Sequence, residues 1–204
     1  GGSNNVAQGT FSVIPGGSDC TASGSYSFAA GRRAKATNDG SFVWGDSANA
    51  DVSSTTDNSV TFRAAGGYRL FSNAGATMGA ELKAGDTAWS VLSDRNAKEN
   101  FEPIDTVEIL EKLAALPLTA WNYKDDPNRR QYIGPVAQDF HAAFGLGNDT
   151  SINTLDADGV AMAAIQGLNQ KLEEEVAELK ARIEQLEALI AEMTNPKSED
   201  GSEK

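Results

Sequence analysis

The chain has 204 residues and a formal net charge of −12 at neutral pH, a balance that argues against nucleic acid or an anionic membrane as partner. No apolar run approaches the roughly 20 residues that span a bilayer, so no membrane insertion is expected. Cys20 and His141 are the sole residues of their kinds, so no disulfide forms within the chain, no metal cluster is available, and no cofactor is expected.

The opening Gly1-Gly2-Ser3 has no initiator Met and no signal-peptide pattern. It reads either as an engineered start or as the start of a piece of a longer protein, in which case upstream domains are expected. Charge is unevenly placed. Residues 1–92 hold six Lys/Arg and seven Asp/Glu, whereas residues 93–204 hold eleven and twenty-two. That step marks a domain boundary at Leu92–Ser93.

Residues 1–92 carry a repeat. Gly9-Thr10-Phe11, Gly24-Ser25-Tyr26, Gly40-Ser41-Phe42 and Asn58-Ser59-Val60 recur every 15 to 18 residues. Each opens a short run alternating small polar and apolar residues, the signature of a strand. Gly16-Gly17, Gly31, Gly45-Asp46 and Gly66-Gly67 supply the expected turns. Short strands at a small fixed period predict a β-solenoid or β-roll with one coil per repeat. Two or three large apolar side chains per coil are too few for a core, so each coil needs neighbours from further coils or other chains. A trimeric fibre is the preferred reading over a monomeric sandwich. The pattern of Gly-Ser-aromatic starts over residues 9–75 resembles the head repeats of trimeric autotransporter adhesins and the shafts of phage tail fibres. Tyr68-Arg69-Leu70-Phe71 and Ala88-Trp89-Ser90-Val91-Leu92 read as further strands, with Gly75, Gly79 and Gly85-Asp86 as turns. Asp19, Asp39, Asp46, Asp51 and Asp57 fall at turns and read as caps rather than catalysts.

The seam itself, Ser93-Asp94-Arg95-Asn96-Ala97-Lys98, sets a serine five residues ahead of a lysine. Such a pair can act as nucleophile and base and cut the chain. It can equally be a Ser-Asp cap followed by a solvated lysine. Asp94 fits the cap of the following turn better than a catalytic role.

Residues 93–157 read as a small α+β domain. Asp105 is placed to cap a helix carrying Val107, Ile109, Leu110, Leu113 and Leu116, which Pro117 stops. Leu118–Tyr123 and Gln131–Gly134 predict a hairpin. Gln138–Phe144 predicts a short helix that includes His141 and ends at Gly145, and Ser151–Leu155 a third strand. His141 is the only base for a histidine triad and reads as a partly exposed helix residue. Asp156 or Asp158 starts a long helix, a coiled coil over residues 158–194. Its position a is Met162, Asn169, Val176, Ile183 and Ile190, and its position d is Ile165, Leu172, Leu179, Leu186 and Met193. Glu175 and Arg182 at g face Lys180 and Glu187 at e of a neighbour, setting register more than stability. β-branched a with Leu d leans toward dimers, while the fibre reading wants trimers. A lone amphipathic helix lying on the domain beneath it is the other reading. Residues 195–204 are charged and expected to be disordered.

Taken with Leu113-x-x-Leu116-Pro117, Trp121-Asn122-Tyr123 and Tyr132-Ile133-Gly134-Pro135-Val136-Ala137-Gln138-Asp139, the seam motif through Asn100 resembles the endosialidase-type intramolecular chaperone domains. These form a self-cleaving serine-peptidase family at the C-termini of phage tailspikes and fibres. The resemblance covers about residues 90–193. It implies a homotrimer aligned through the C-terminal modules, with Ser93 attacking the Leu92–Ser93 bond and Lys98 as general base. A lysine amine at its ordinary pKa of about 10.4 is almost wholly protonated at neutral pH, so the pair is expected to act only once assembly takes it out of water. Cleavage would release the chaperone and leave a fibre that unfolds slowly. The resemblance further implies a virion tail fibre, assembled in the cytoplasm, or an extracellular bacterial surface. A host glycan or receptor would be met by the upstream fibre. The rivals are an uncleaved structural fibre or adhesin tip, and a Ser/Lys enzyme acting on foreign peptides.

Overall fold

The computed structural model describes residues 1–194, and the tail expected to be disordered lies outside the described residues. The chain divides into two compact units, Gly1–Phe101 and the part from Glu102 onward.

The first unit begins with eight short strands: β1 (Val6–Ala7), β2 (Gly17–Ser18), β3 (Thr21–Ala22), β4 (Phe28–Arg32), β5 (Ala34–Ala36), β6 (Phe42–Gly45), β7 (Val52–Ser53) and β8 (Val60–Arg63). They form two all-parallel sheets, β1-β3-β5-β7 and β2-β4-β6-β8. Every second strand in sequence is thus a neighbour in space, which makes a β-solenoid of about four coils. In-register pairs such as Val6–Thr21, Phe28–Phe42 and Phe42–Val60 fix the coil length. The repeat was legible as one strand per coil. The second strand of each coil leaves no such mark in the sequence, because two or three residues are too few to show alternation.

Side chains alternate across a strand, and here the small ones point inward. Cys20, Ala22, Ala29, Ala34, Ala36 and Val43 are fully buried and make the core of the coil, with Ile14 and Val52 half-buried against it. The aromatic residues that announced the repeat point outward. In a coil this narrow nothing larger than Val is fully buried. It turns at left-handed corners: Phe11, Tyr26, Gly40 and Asn58 stack in one corner row, with φ between 56° and 65°. Gly31 and Gly45, expected as turns, close strands instead. Gly17 (φ 119°) and Gly31 (φ 88°) sit in a glycine ladder, where a Cβ on each would fall on the carbonyl oxygen of Gly31 and Gly45 respectively.

The five aspartates expected as turn caps tie successive coils together. Asp39 accepts from the Ser25 amide (2.7 Å), and Asp57 from the Asp39 amide (3.1 Å). Asp51 pairs with Arg33 and Asp46 with Arg63. Asp19 accepts from the Asn4 side chain (3.2 Å).

After β8 the chain turns antiparallel. β9 (Gly67–Phe71), β10 (Gly79–Lys83) and β11 (Ser90–Val91) form a sheet with β10 central. Gly79, expected as a turn, opens β10.

In the second unit, Asp105 caps α1 (Thr106–Ala115), its carboxylate accepting from the Val107 and Glu108 amides at 3.0 Å each. The hairpin pairs β12 (Thr119–Trp121) with β13 (Tyr132–Gly134), and the Trp121 and Tyr132 rings stack 5.0 Å apart. α2 (Ala137–Phe144) ends at Gly145 in the left-handed region, φ 68°. Leu116, Phe140 and Val160 form the core, flanked by Ile109, Leu113, Phe144 and Ile152. The expected strand Ser151–Leu155 does not form. Asn148 draws the Thr150 and Ser151 amides into a turn (2.8 and 3.0 Å), leaving one bridge from Ser151 to Asn148. Asn153 then accepts from the Leu155 amide (3.0 Å) and starts α3 (Thr154–Thr194) ahead of Asp156.

α3 has two working faces. Val160, Ala163, Ala164 and Gly167 are buried, and α1 approaches so closely that a Cβ on Gly167 would meet the Thr106 carbonyl oxygen. Lys171 reaches Glu111 at 2.7 Å. The reading of a helix lying on its own domain therefore holds for these first turns. The heptad residues Ile165, Leu172, Val176, Leu179, Ile183, Leu186 and Ile190 are all exposed in the single chain.

Candidate functional site

The candidate site is built at the end of the β9–β10–β11 sheet. β10 pairs with β11 through Ala80–Val91 and Glu81–Ser90. One step further, the Leu92 amide donates to the Gly79 carbonyl at 3.0 Å. The backbone is thus held up to the residue whose carbonyl precedes Ser93.

Beyond Ser93 the chain enters a single 3-10 turn, Arg95–Ala97. Asp94 caps it: its Oδ1 accepts from the Asn96 amide at 2.9 Å and from the Asn96 side-chain amide at 3.0 Å. The Ala97 amide donates to the Asp94 carbonyl, and the Lys98 amide to the Arg95 carbonyl, both at 3.1 Å. A tight turn of this kind reverses the chain in few residues. The Lys98 side chain therefore comes back to the start of the turn, and its Nζ donates to Ser93 Oγ at 2.5 Å. Arg95 packs its guanidinium over the Phe101 ring, 4.6 Å from the centroid.

Ser93 and Lys98 are both exposed. No cavity encloses them among those found in the described residues. A groove of about 650 Å³ in the second unit is lined by Trp121, Tyr123, Val136, Gln138 and Ile152, without a serine-lysine pair. His141 lies on α2 with its Nδ1 against the Leu146 carbonyl oxygen at 3.1 Å, a structural contact at the helix end. Cys20 is buried inside the solenoid, where its thiol donates to the Gly31 carbonyl at 3.3 Å. Among the described residues, no group of three or more His, Cys, Asp or Glu is placed to hold a metal ion.

Sequence reasoning singled out Ser93, Lys98 and Asp94. It gave Gly79 only as a turn and Asn96 only as a member of the motif. Gly79 holds Leu92 through a strand pairing across thirteen residues, and no local pattern reveals such a bond. Asn96 was visible as the third residue of Asp-x-Asn, a spacing at which a side chain caps its own turn.

A serine hydroxyl against a lysine amine, next to a backbone bond just beyond a strand, is an arrangement suited to acyl transfer once the amine is deprotonated. No curated protein matches the chain, and no solved structure does. Residues 93–145 match the family model described as the chaperone of endosialidase. The match opens at Ser93 and closes at Gly145, the residue that ends α2, so this part of the chain is an endosialidase-type intramolecular chaperone domain, of a family related to self-cleaving peptidases.

Proposed function

We propose that the chaperone domain brings three copies of the chain together, aligns their β-solenoids, and then releases itself by cutting the Leu92–Ser93 bond. The observation that carries this reading is the direct contact of Lys98 Nζ with Ser93 Oγ, 2.5 Å, next to a residue anchored by β10. The family match beginning at Ser93 supports it.

The chemistry runs through an acyl shift. Lys98, as free amine, takes the Ser93 hydroxyl proton. Oγ adds to the Leu92 carbonyl carbon, the carbon–nitrogen bond breaks, and the departing Ser93 nitrogen takes a proton. The resulting ester is hydrolysed by water, giving a Leu92 carboxylate and a Ser93 with free amine and hydroxyl. A lysine ammonium has only donors to offer the serine hydroxyl, the reverse of what attack needs. Covering by neighbouring copies disfavours the charged form. Assembly thereby arms the pair.

The exposed heptads of α3 supply the association surface, and the charged pairs at e and g set its register. In this reading the solenoid is part of a virion tail fibre or of a bacterial surface fibre, and a host glycan or receptor is met by the fibre upstream.

The test is the mass of the refolded product with its N-terminal residue read directly. Two fragments of 92 and 112 residues, the second beginning at Ser93, are expected. Ser93→Ala should leave a single 21.5 kDa chain that still forms trimers in light scattering. An intact wild-type chain in a stable trimer would favour the uncleaved fibre. Cleavage persisting in Ser93→Ala would remove Ser93 as nucleophile.

A further inference from the structure

The outer surface of the β2-β4-β6-β8 sheet is apolar in aligned rows. Val13 bridges to Phe28, and Phe28, Phe42 and Val60 continue the row in register. Ala30, Trp44 and Phe62 form the parallel row beside it. Phe28 and Phe42 stack with centroids 4.3 Å apart, and Phe62 meets Phe42 edge-on. These side chains are not spare core. The inward positions between them, Ala29 and Val43, are fully buried, while Val13 is 49 % exposed, Trp44 38 %, Val60 65 % and Phe62 49 %.

The opposite sheet differs. Its outward row runs from Val6 through Thr21 and Lys35 to Ser53, and Lys35 is bonded to the Asp19 carbonyl and the Thr21 hydroxyl. One face of the solenoid is wetted by design and the other is not. A contiguous apolar strip on a coil of so small a core marks an interaction surface.

We propose that this strip is where the solenoids of neighbouring copies of the chain pack on one another, parallel and coil against coil. It deepens the homotrimer reading above and rests on it. Three observations choose a second copy over another occupant. The two rows contain no hydrogen-bonding side chain apart from the Trp44 indole N–H, whereas a sugar or polar ligand needs convergent polar groups. No charged residue stands in the rows, and residues 1–92 are nearly balanced in charge, so like copies meet without repulsion or buried ions. The exposed heptads on α3 of the same chain independently present a surface for parallel self-association. Rows that run in register along the coil stack are continued by an identical row placed alongside.

The test is thiol protection in the full chain. Val60→Cys and Val13→Cys place a reporter in the strip, Ser53→Cys places one on the polar sheet, and native Cys20 is buried. All three sites are at the surface of the single chain, so folding should survive. In trimers, Val60→Cys and Val13→Cys should react with a maleimide at least about tenfold more slowly than Ser53→Cys, the reaction then awaiting local opening. Equal rates in particles that light scattering sizes as trimers overturn the proposal and leave the trimer standing. Protection in a monomer overturns it too, since something other than a second copy then covers the strip. A monomer in which all three react alike removes the trimer reading and this proposal with it.

Discussion

Ser93 and Lys98 touch because Asp94 and Asn96 close a turn between them. The contact is thus a property of six consecutive residues, whatever lies around them. It also explains why the motif is ambiguous: the cap and the reactive pair are one structure, since Asp94 caps the turn that returns Lys98 to Ser93. A substitution that keeps the contact but removes the base separates the two readings. Arginine retains charge and donation and is not deprotonated in proteins. Lys98→Arg should slow cleavage by about 10²- to 10⁴-fold, the usual weight of a general base, with trimer formation unchanged. The measurement is the fraction of cut chain against time on a denaturing gel. Gly79 acts at this scale by a different route, through the strand that holds Leu92. Its Cβ would strike the Leu70 carbonyl oxygen on β9, so Gly79→Ala should push the start of β10 off β9, shift the carbonyl that holds Leu92, and slow cleavage without touching either reacting group.

At the scale of elements, the solenoid depends on close approach more than on burial. Its core is six small residues, and the remaining order comes from the glycine ladder and the aspartate links. Gly31→Ala requires a Cβ where the Gly45 carbonyl oxygen lies, and should cost about 3 kcal/mol or more, read as a drop in thermal midpoint. Asp46 is held below its ordinary value of 3.8 first by the Ala65 amide and then by the Arg63 guanidinium. A folded pKa below the unfolded one adds stability above about pH 4, and that stability fades as pH falls through the lower folded value. Asp46→Asn should therefore melt earlier than wild type at pH 7, with the gap closing below pH 4. Much of this architecture was legible in advance. The period, the solenoid, the cap at Asp105, the hairpin and the heptads all follow from local patterns. The inward and outward assignment was not, because larger and smaller side chains alternate in the runs and alternation alone does not say which face is inside. Aromatic residues usually point into a core, and only the narrowness of a two-strand coil sends them out. Likewise Ser151–Leu155 looks like a strand until Asn148 and Asn153 take its amides into a turn and a helix start.

At the scale of the whole molecule, the solenoid and the chaperone domain pose the same physical problem. Each buries little by itself: one has an exposed apolar strip, the other a long helix with an exposed heptad stripe. Parallel, in-register association of coils forms contacts between separate chains, which is slow without a device that raises their local concentration. In the proposed assembly the heptads would supply that device, and the Ser93–Lys98 pair would report when it has worked. Leu179→Asp with Ile183→Asp places carboxylates on adjacent turns of the stripe. It should leave α1, α2 and the hairpin folded, by circular dichroism, while trimerisation and cleavage fail together. Dilution of the wild type makes the same demand without mutation. If covering by other copies arms the lysine, a tenfold dilution during refolding should lengthen the cleavage half-time at least about tenfold, by mass action. A half-time that stays constant while light scattering reports single chains would mean that the pair reacts alone. The exposed contact within one chain would then be the complete site, and the coupling between assembly and release would be lost.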